Sequence, residues 1–176
     1  MNPELDEVVW QAWKAMELPE GYRAEIIEGV IEVSPTGRLS HARVVNRLRS
    51  ALEVFLRDSE HGAWNNIHVI HVHRDDLGIK ASAVQLVIEV VSPGKTNQDR
   101  DRIRKRREYA RAGIPMYVLI DDYDGQGAVT LFTGPRPDKA DWEDIHRVPY
   151  GTEVTIPEGP AKGFVIGEAI TGPKRG

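Results

Sequence analysis

Residues 84–94 read VQLVIEVVSPG, and residues 99–121 read DRDRIRKRREYARAGIPMYVLID. The first stretch is an almost wholly apolar run stopped by Ser92-Pro93-Gly94, and such a run predicts a strand over Val84–Val91 that is buried on both faces, at the centre of an α/β sheet. Beyond Gln85 near its start, one polar side chain interrupts it. Glu89 stands between Ile88 and Val90, where a carboxylate costs several kcal/mol unless it is paired, protonated or bound to a metal. Two accounts of Glu89 are open: a buried salt bridge to an arginine, or a metal ligand at the end of a central strand, where ligands gather in open α/β sheets. The second stretch predicts a helix from Asn97 to Arg111, ended by Ala112-Gly113-Ile114-Pro115 with Gly113 suited to the left-handed cap. A strand over Met116–Ile120 follows. On the helix, Lys105, Tyr109 and Ala112 share a face.

Working outward, a helix is expected over Glu4–Glu17, with Leu5, Val8, Val9, Ala12 and Met16 on its apolar side and Pro19 closing it. The runs Tyr22–Ile27 and Val30–Val33 flank Glu28-Gly29 and predict a hairpin. From Ser40 to Arg57 an i, i+3, i+4 stripe of Val44, Val45, Leu48, Ala51, Leu52, Phe55 and Leu56 predicts a helix capped by Ser40. A further strand is expected over Ile67–Val72. Beyond the second stretch come strands over Ala128–Phe132, Ile145–Val148 and Val154–Ile156, and an apolar end at Phe164–Ile170. No internal repeat or long linker divides the chain, so a single domain over residues 1–176 is expected.

The composition narrows the function. With 176 residues, 40% hydrophobic and 28% charged, the chain has the makeup of an ordinary globular protein. It has no cysteine, which excludes disulfides, zinc-thiolate sites and a thiol nucleophile. No apolar run is long enough for a membrane span, and the start lacks a basic and apolar leader, so a cytoplasmic protein with no membrane partner is expected. The formal charge of −4 argues against a coat for nucleic acid. The charge is uneven, however. Between Lys95 and Arg111 eight basic residues stand against three acidic ones, a local balance of +5 that leaves −9 for the rest. A basic segment on an acidic body suits a face that meets a polyanion, though a solvated helix face has the same pattern. His71 and His73 share one strand face while His68 faces the other way, too few ligands together for zinc. No nucleophile elbow, phosphate-cradling glycine loop or dinucleotide fingerprint is present, which argues against a metabolic hydrolase.

The order of residues is more specific than any of these features alone. Glu89, Val90, Ser92 and Pro93, followed by Asp101, Arg102, Lys105, Tyr109, Ala110, Ala112, Gly113, Ile114 and Pro115, resemble the Uma family of restriction endonucleases. The resemblance extends back through YRAEIIEGVIEVSP and His41, and so runs from about Tyr22. It implies a restriction-endonuclease-like α/β fold with a central mixed sheet flanked by helices. It also implies a Mg²⁺-dependent DNA endonuclease, usually a homodimer. In that resemblance Glu89 would bind Mg²⁺ with the Val90 carbonyl nearby, and Lys105 would orient or polarise the attacking water. Glu25 would be a further catalytic acid. From the basic charge cluster, Arg100, Arg102, Arg104 and Arg107 are the residues expected to meet DNA. His41 fits a family position, and a helix-start cap explains it equally well. Phosphodiester cleavage suits hard carboxylate oxygens around Mg²⁺.

The chain departs from the family at one point. The family places a Pro-Asp strand before the Glu strand, but here only Arg74–Ala83 intervene and no Pro-Asp occurs. Either that strand is lost, leaving the sheet one strand short, or Asp75 or Asp76 replaces the missing metal ligand. With a single carboxylate, cleavage should be weak or absent, and the alternative function is a catalytically silent protein that binds nucleic acid or a protein partner through the basic helix.

Overall fold

The computed structural model describes residues 3–36, 39–64, 68–70 and 78–173. The chain forms two compact units, Met1–Gly37 and Arg38–Gly176.

The first unit holds helix α1 (Pro3–Lys14) and the antiparallel strands β1 (Tyr22–Ile27) and β2 (Val30–Pro35). Glu28 and Gly29 both have positive φ, 51° and 74°, as the two central residues of a tight hairpin turn require. The apolar side of α1 differs from the expected one. Val8 is 64% exposed, whereas Trp10 is buried and stacks on Trp13 at 5.1 Å. The Trp13 indole N–H also donates to the Ala24 carbonyl at 3.0 Å. Indoles bury more apolar area than a valine and need an acceptor for the N–H, so they decide the face.

The second unit begins with α2 (Leu39–Phe55), which starts one residue before Ser40 and so does not use it as a cap. The short strands β3 (His68–Ile70) and β4 (Gly78–Lys80) pair in parallel, and a 3₁₀ turn (Ala81–Ala83) leads into β5 (Leu86–Val90). His71, His73, Asp75 and Asp76 lie outside the described residues, as do residues 74–77 of the Arg74–Ala83 segment that stands where the family has its Pro-Asp strand. A single helix then runs through three segments: α3 (Lys95–Asp99), a π-helical turn (Arg100–Lys105) and α4 (Arg106–Arg111). Strands β6 (Met116–Asp121), β7 (Ala128–Arg136) and β8 (Asp141–Pro149) complete a four-stranded mixed sheet in the order β5-β6-β7-β8, with β5 parallel to β6 and the other pairs antiparallel. The pair β9 (Val154–Thr155) and β10 (Val165–Ile166) and the short α5 (Glu168–Thr171) close the chain.

Among the described residues β6 and β7 are the interior strands of this sheet, and the Glu89 strand lies at its edge. All six β6 residues are buried, while β5 has one sheet partner among the described residues. The sequence misleads here for a physical reason. A continuous apolar run reports that both faces of a strand are covered, which holds for β5, and says nothing of its edges. Leu86, Ile88 and Val90 face a core shared with Val44 and Leu48 of α2, with Met116, Val118 and Ile120, and with Ile156, Phe164 and Ile166. Val87 and Val91 face the other layer, where Tyr117, Leu119, Phe132, Trp142 and Ala110 meet. Glu89 has the same strand parity as Val87 and Val91, so it is directed to the layer of α4.

Gly127 offers a test of this packing. It has φ +93°, and an added Cβ would lie 2.5 Å from the Tyr150 ring. Gly127→Ala should lower stability by about 2–4 kcal/mol through backbone strain and overpacking together. Urea unfolding of the variant at an unchanged m-value would check it.

Candidate functional site

Glu89 finds its partners on the helix. Lys105 Nζ lies 3.0 Å from Glu89 Oε1, and the Tyr109 hydroxyl donates to the same oxygen at 2.6 Å. The salt-bridge partner is thus a lysine, where an arginine was the simple expectation. Lys105 is almost fully buried and Glu89 is 19% exposed at its side chain, so the carboxylate is the part of the pair that solvent reaches. The shared face expected of Lys105 and Tyr109 is what brings both to one oxygen.

The π-helical turn places a second carboxylate beside the lysine. Asp101 is 1% exposed and lies 3.8 Å from Lys105 Nζ. Its Oδ2 accepts the Ser92 backbone N–H at 3.0 Å, and its Oδ1 accepts Arg100 Nε at 2.9 Å. Its carbonyl accepts the Tyr117 hydroxyl at 3.0 Å. Such π turns inside α-helices are frequent at functional sites. The family motif includes Asp101 without assigning it a role, and the available signal in the sequence is its position four residues before Lys105.

The other expected residues are placed as follows. The Val90 carbonyl accepts a hydrogen bond from His41 Nε2 at 2.9 Å, which requires the tautomer with the proton on Nε2. His41 therefore joins α2 to the end of β5 and does not cap its own helix. Arg102 Nε donates to Asp121 Oδ2 at 2.6 Å, and Asp121 also accepts the Tyr123 N–H. That hydrogen bond raises the Arg102 guanidinium further above its ordinary value. Arg100, also expected to meet DNA, is 2% exposed, and its Nε donates to Asp101 Oδ1. Arg104 and Arg107 are partly exposed. Glu25 lies in the first unit on β1, across from Glu32, with Arg23 3.9 Å away.

Among the described residues the donors are too few for a complete Mg²⁺ site. Mg²⁺ prefers octahedral oxygen, usually with one or two carboxylates and several waters. With Oε1 held by Lys105 and Tyr109, Glu89 offers Oε2, and the Val90 carbonyl already accepts from His41. Asp101 is the nearby carboxylate, but both its oxygens are engaged. Among the described residues no group of three or more His, Asp or Glu could hold a metal. Asp75, the expected further ligand, lies outside them.

A mixed sheet flanked by helices, with a Glu at the end of β5 opposed by a Lys from the following helix, defines a restriction-endonuclease-like α/β protein. The chain belongs to the Uma2 family, whose description is "Putative restriction endonuclease" and whose model matches residues 69–167. A search of curated proteins finds no match. Families of this fold generally use divalent metals. Among the described residues no helix is long and apolar enough to cross a membrane.

Tyr117 supplies a pH test of the site's support. Burial, then the nearby charges of Glu89 and Asp101, pushes its phenol well above the ordinary value of 10.0. In the unfolded chain the phenol ionises near that ordinary value, while in the folded protein it stays neutral. Below about pH 10 the group leaves stability unchanged, and above it stability falls by up to about 1.4 kcal/mol per pH unit. Tyr117→Phe should cost about 1 kcal/mol at neutral pH, because the Asp101 carbonyl loses its donor. It should also flatten the alkaline decline relative to the parent, as urea midpoints followed from neutral to alkaline pH would read out.

Proposed function

We propose that this chain is a DNA endonuclease of the divalent-metal-dependent class, centred on Glu89 and Lys105, and that its cleavage is weak. The observation that carries the reading is the 3.0 Å contact between a buried lysine and a partly exposed carboxylate at the end of β5. In phosphodiester hydrolysis a positioned ammonium stabilises charge on the pentacovalent phosphorus and orients water toward it. Mg²⁺ is the metal this reading assigns, with Glu89, the Val90 carbonyl and Asp75 as its ligands. The described residues supply only part of that set, which is the reason weak cutting is proposed. Arg104 and Arg107, with Arg102 steadied by Asp121, are proposed to meet the DNA phosphates. A homodimer in the cytoplasm belongs to the same reading, and sedimentation showing monomer alone at high concentration would remove the dimer.

A second reading, a silent nucleic-acid-binding protein, is favoured by one observation: Lys105 and Tyr109 already satisfy Glu89 Oε1 from within the chain. Plasmid cleavage in Mg²⁺ and in Mn²⁺ separates the two. Slow nicking by the parent that disappears in Glu89→Gln and in Lys105→Ala is the expected result. Undetectable cutting with DNA binding retained would leave the silent reading, and rapid cutting would overturn the weakness. Replacing Arg104 and Arg107 by Ala should weaken DNA binding uniformly across sequences. The salt slope should flatten by roughly one unit for each phosphate no longer neutralised, and an unchanged affinity would assign these arginines to a solvated face.

A further inference from the structure

The ammonium of Lys105 has a carboxylate on each of two elements. Glu89 Oε1 is 3.0 Å away on β5, and Asp101 Oδ1 is 3.8 Å away on the lysine's own helix. The two carboxylates differ in freedom. Asp101 is buried and held through Ser92, Arg100 and its own carbonyl, so it is a fixed charge. Glu89 is partly exposed and is bound through one oxygen. A lysine carries three donors on a flexible stem, so a small rotation near its tip would shorten the longer contact to a hydrogen bond. If Glu89 were the lysine's sole support, any ligand that drew Glu89 away would leave a buried ammonium without a counter-charge, which is strongly unfavourable.

We propose that Asp101 is a positioning residue that gives the Lys105 ammonium a second seat, so that Glu89 can exchange partners while the lysine stays in the site. The proposal rests on the reading of Glu89 and Lys105 as the reactive pair and adds how that pair can open. It also accounts for two features together: the π-helical turn that sets Asp101 beside Lys105, and the anchoring of Asp101 to the Ser92 amide directly after β5.

Nitrogen-15 NMR of the lysine ammonium groups tests the seat without any need for activity, with Lys105→Arg assigning the signal. In Glu89→Gln the Lys105 ammonium should remain visible and protected from solvent exchange at a shifted position, because Asp101 now holds it. Loss of the signal in folded Glu89→Gln would overturn the proposal. Asp101→Asn keeps an acceptor for Ser92 while removing the charge, and the Lys105 ammonium of the double variant Glu89→Gln/Asp101→Asn should exchange with solvent faster than that of Glu89→Gln. Exchange as slow in the double variant as in Glu89→Gln would also refute the second seat. Should Asp101→Asn fail to fold, the Glu89→Gln spectrum still decides. In cleavage assays Asp101→Asn should lower kcat by about tenfold to a hundredfold with KM little changed, as expected for a misplaced reactive group. Parental kcat in Asp101→Asn would count against the proposal. A parent without cleavage would instead sink the nuclease reading and leave the NMR result standing.

Discussion

A carboxylate on an apolar strand has to be neutralised where it stands, and the arrangement around the site follows from that requirement. Glu89 points from β5 into the layer where the helix packs, so the helix must bring a cation and a donor to it. Lys105 and Tyr109 meet this need from adjacent turns of one face. The lysine is buried as well, and Asp101 supplies further negative charge beside it. Each buried charge is admitted only because another faces it, which is the condition under which buried ion pairs survive the loss of water.

The same logic explains where the basic segment directs its charge. Read from composition, residues 95–111 carry a balance of +5 that suggests an outward electropositive face. In the fold a large part of that charge is turned inward. Arg100 binds Asp101, Lys105 binds Glu89, and Arg102 binds Asp121 at the end of β6. The helix thus neutralises carboxylates at the carboxyl ends of two parallel neighbouring strands before it offers anything to a ligand. Arg104 and Arg107, both partly exposed, are the remaining members of the proposed DNA face.

Aromatic packing fixes the helix against the sheet so that these distances are kept. Tyr117 on β6 stacks with Phe132 at 5.4 Å and with Trp142 at 6.2 Å, and it lies 5.2 Å from Tyr109. Trp142 donates its indole N–H to the Arg106 carbonyl at 3.0 Å, which joins the helix to β8. On the opposite face of the sheet, α2 supplies Val44 and Leu48 to the core, and its His41 holds the Val90 carbonyl. The strand bearing Glu89 is therefore gripped from both layers. Offset aromatic pairs and satisfied indole donors add modest individual energies, and their combined effect is geometric precision at the pair.

Much of the candidate site was legible in the residues. Glu89 was conspicuous because a charge in an apolar run requires a partner, and helical spacing put Lys105 and Tyr109 on one face. The hairpin at Glu28-Gly29 and the helix through Val44 and Leu48 follow from local turn chemistry and periodicity, which depend on neighbouring residues alone. The tertiary structure decided the rest. Periodicity reports which faces of a strand are covered and is blind to its edges, so only assembly of the sheet could place β6 and β7, rather than β5, in the interior of the strands described. Composition counts charges without direction, so only the folded chain could show that Arg100 is buried against Asp101. The spacing of Asp101 four residues before Lys105 is local, but Ser92 and Tyr117 reach Asp101 from other elements, and that convergence is a property of chain packing.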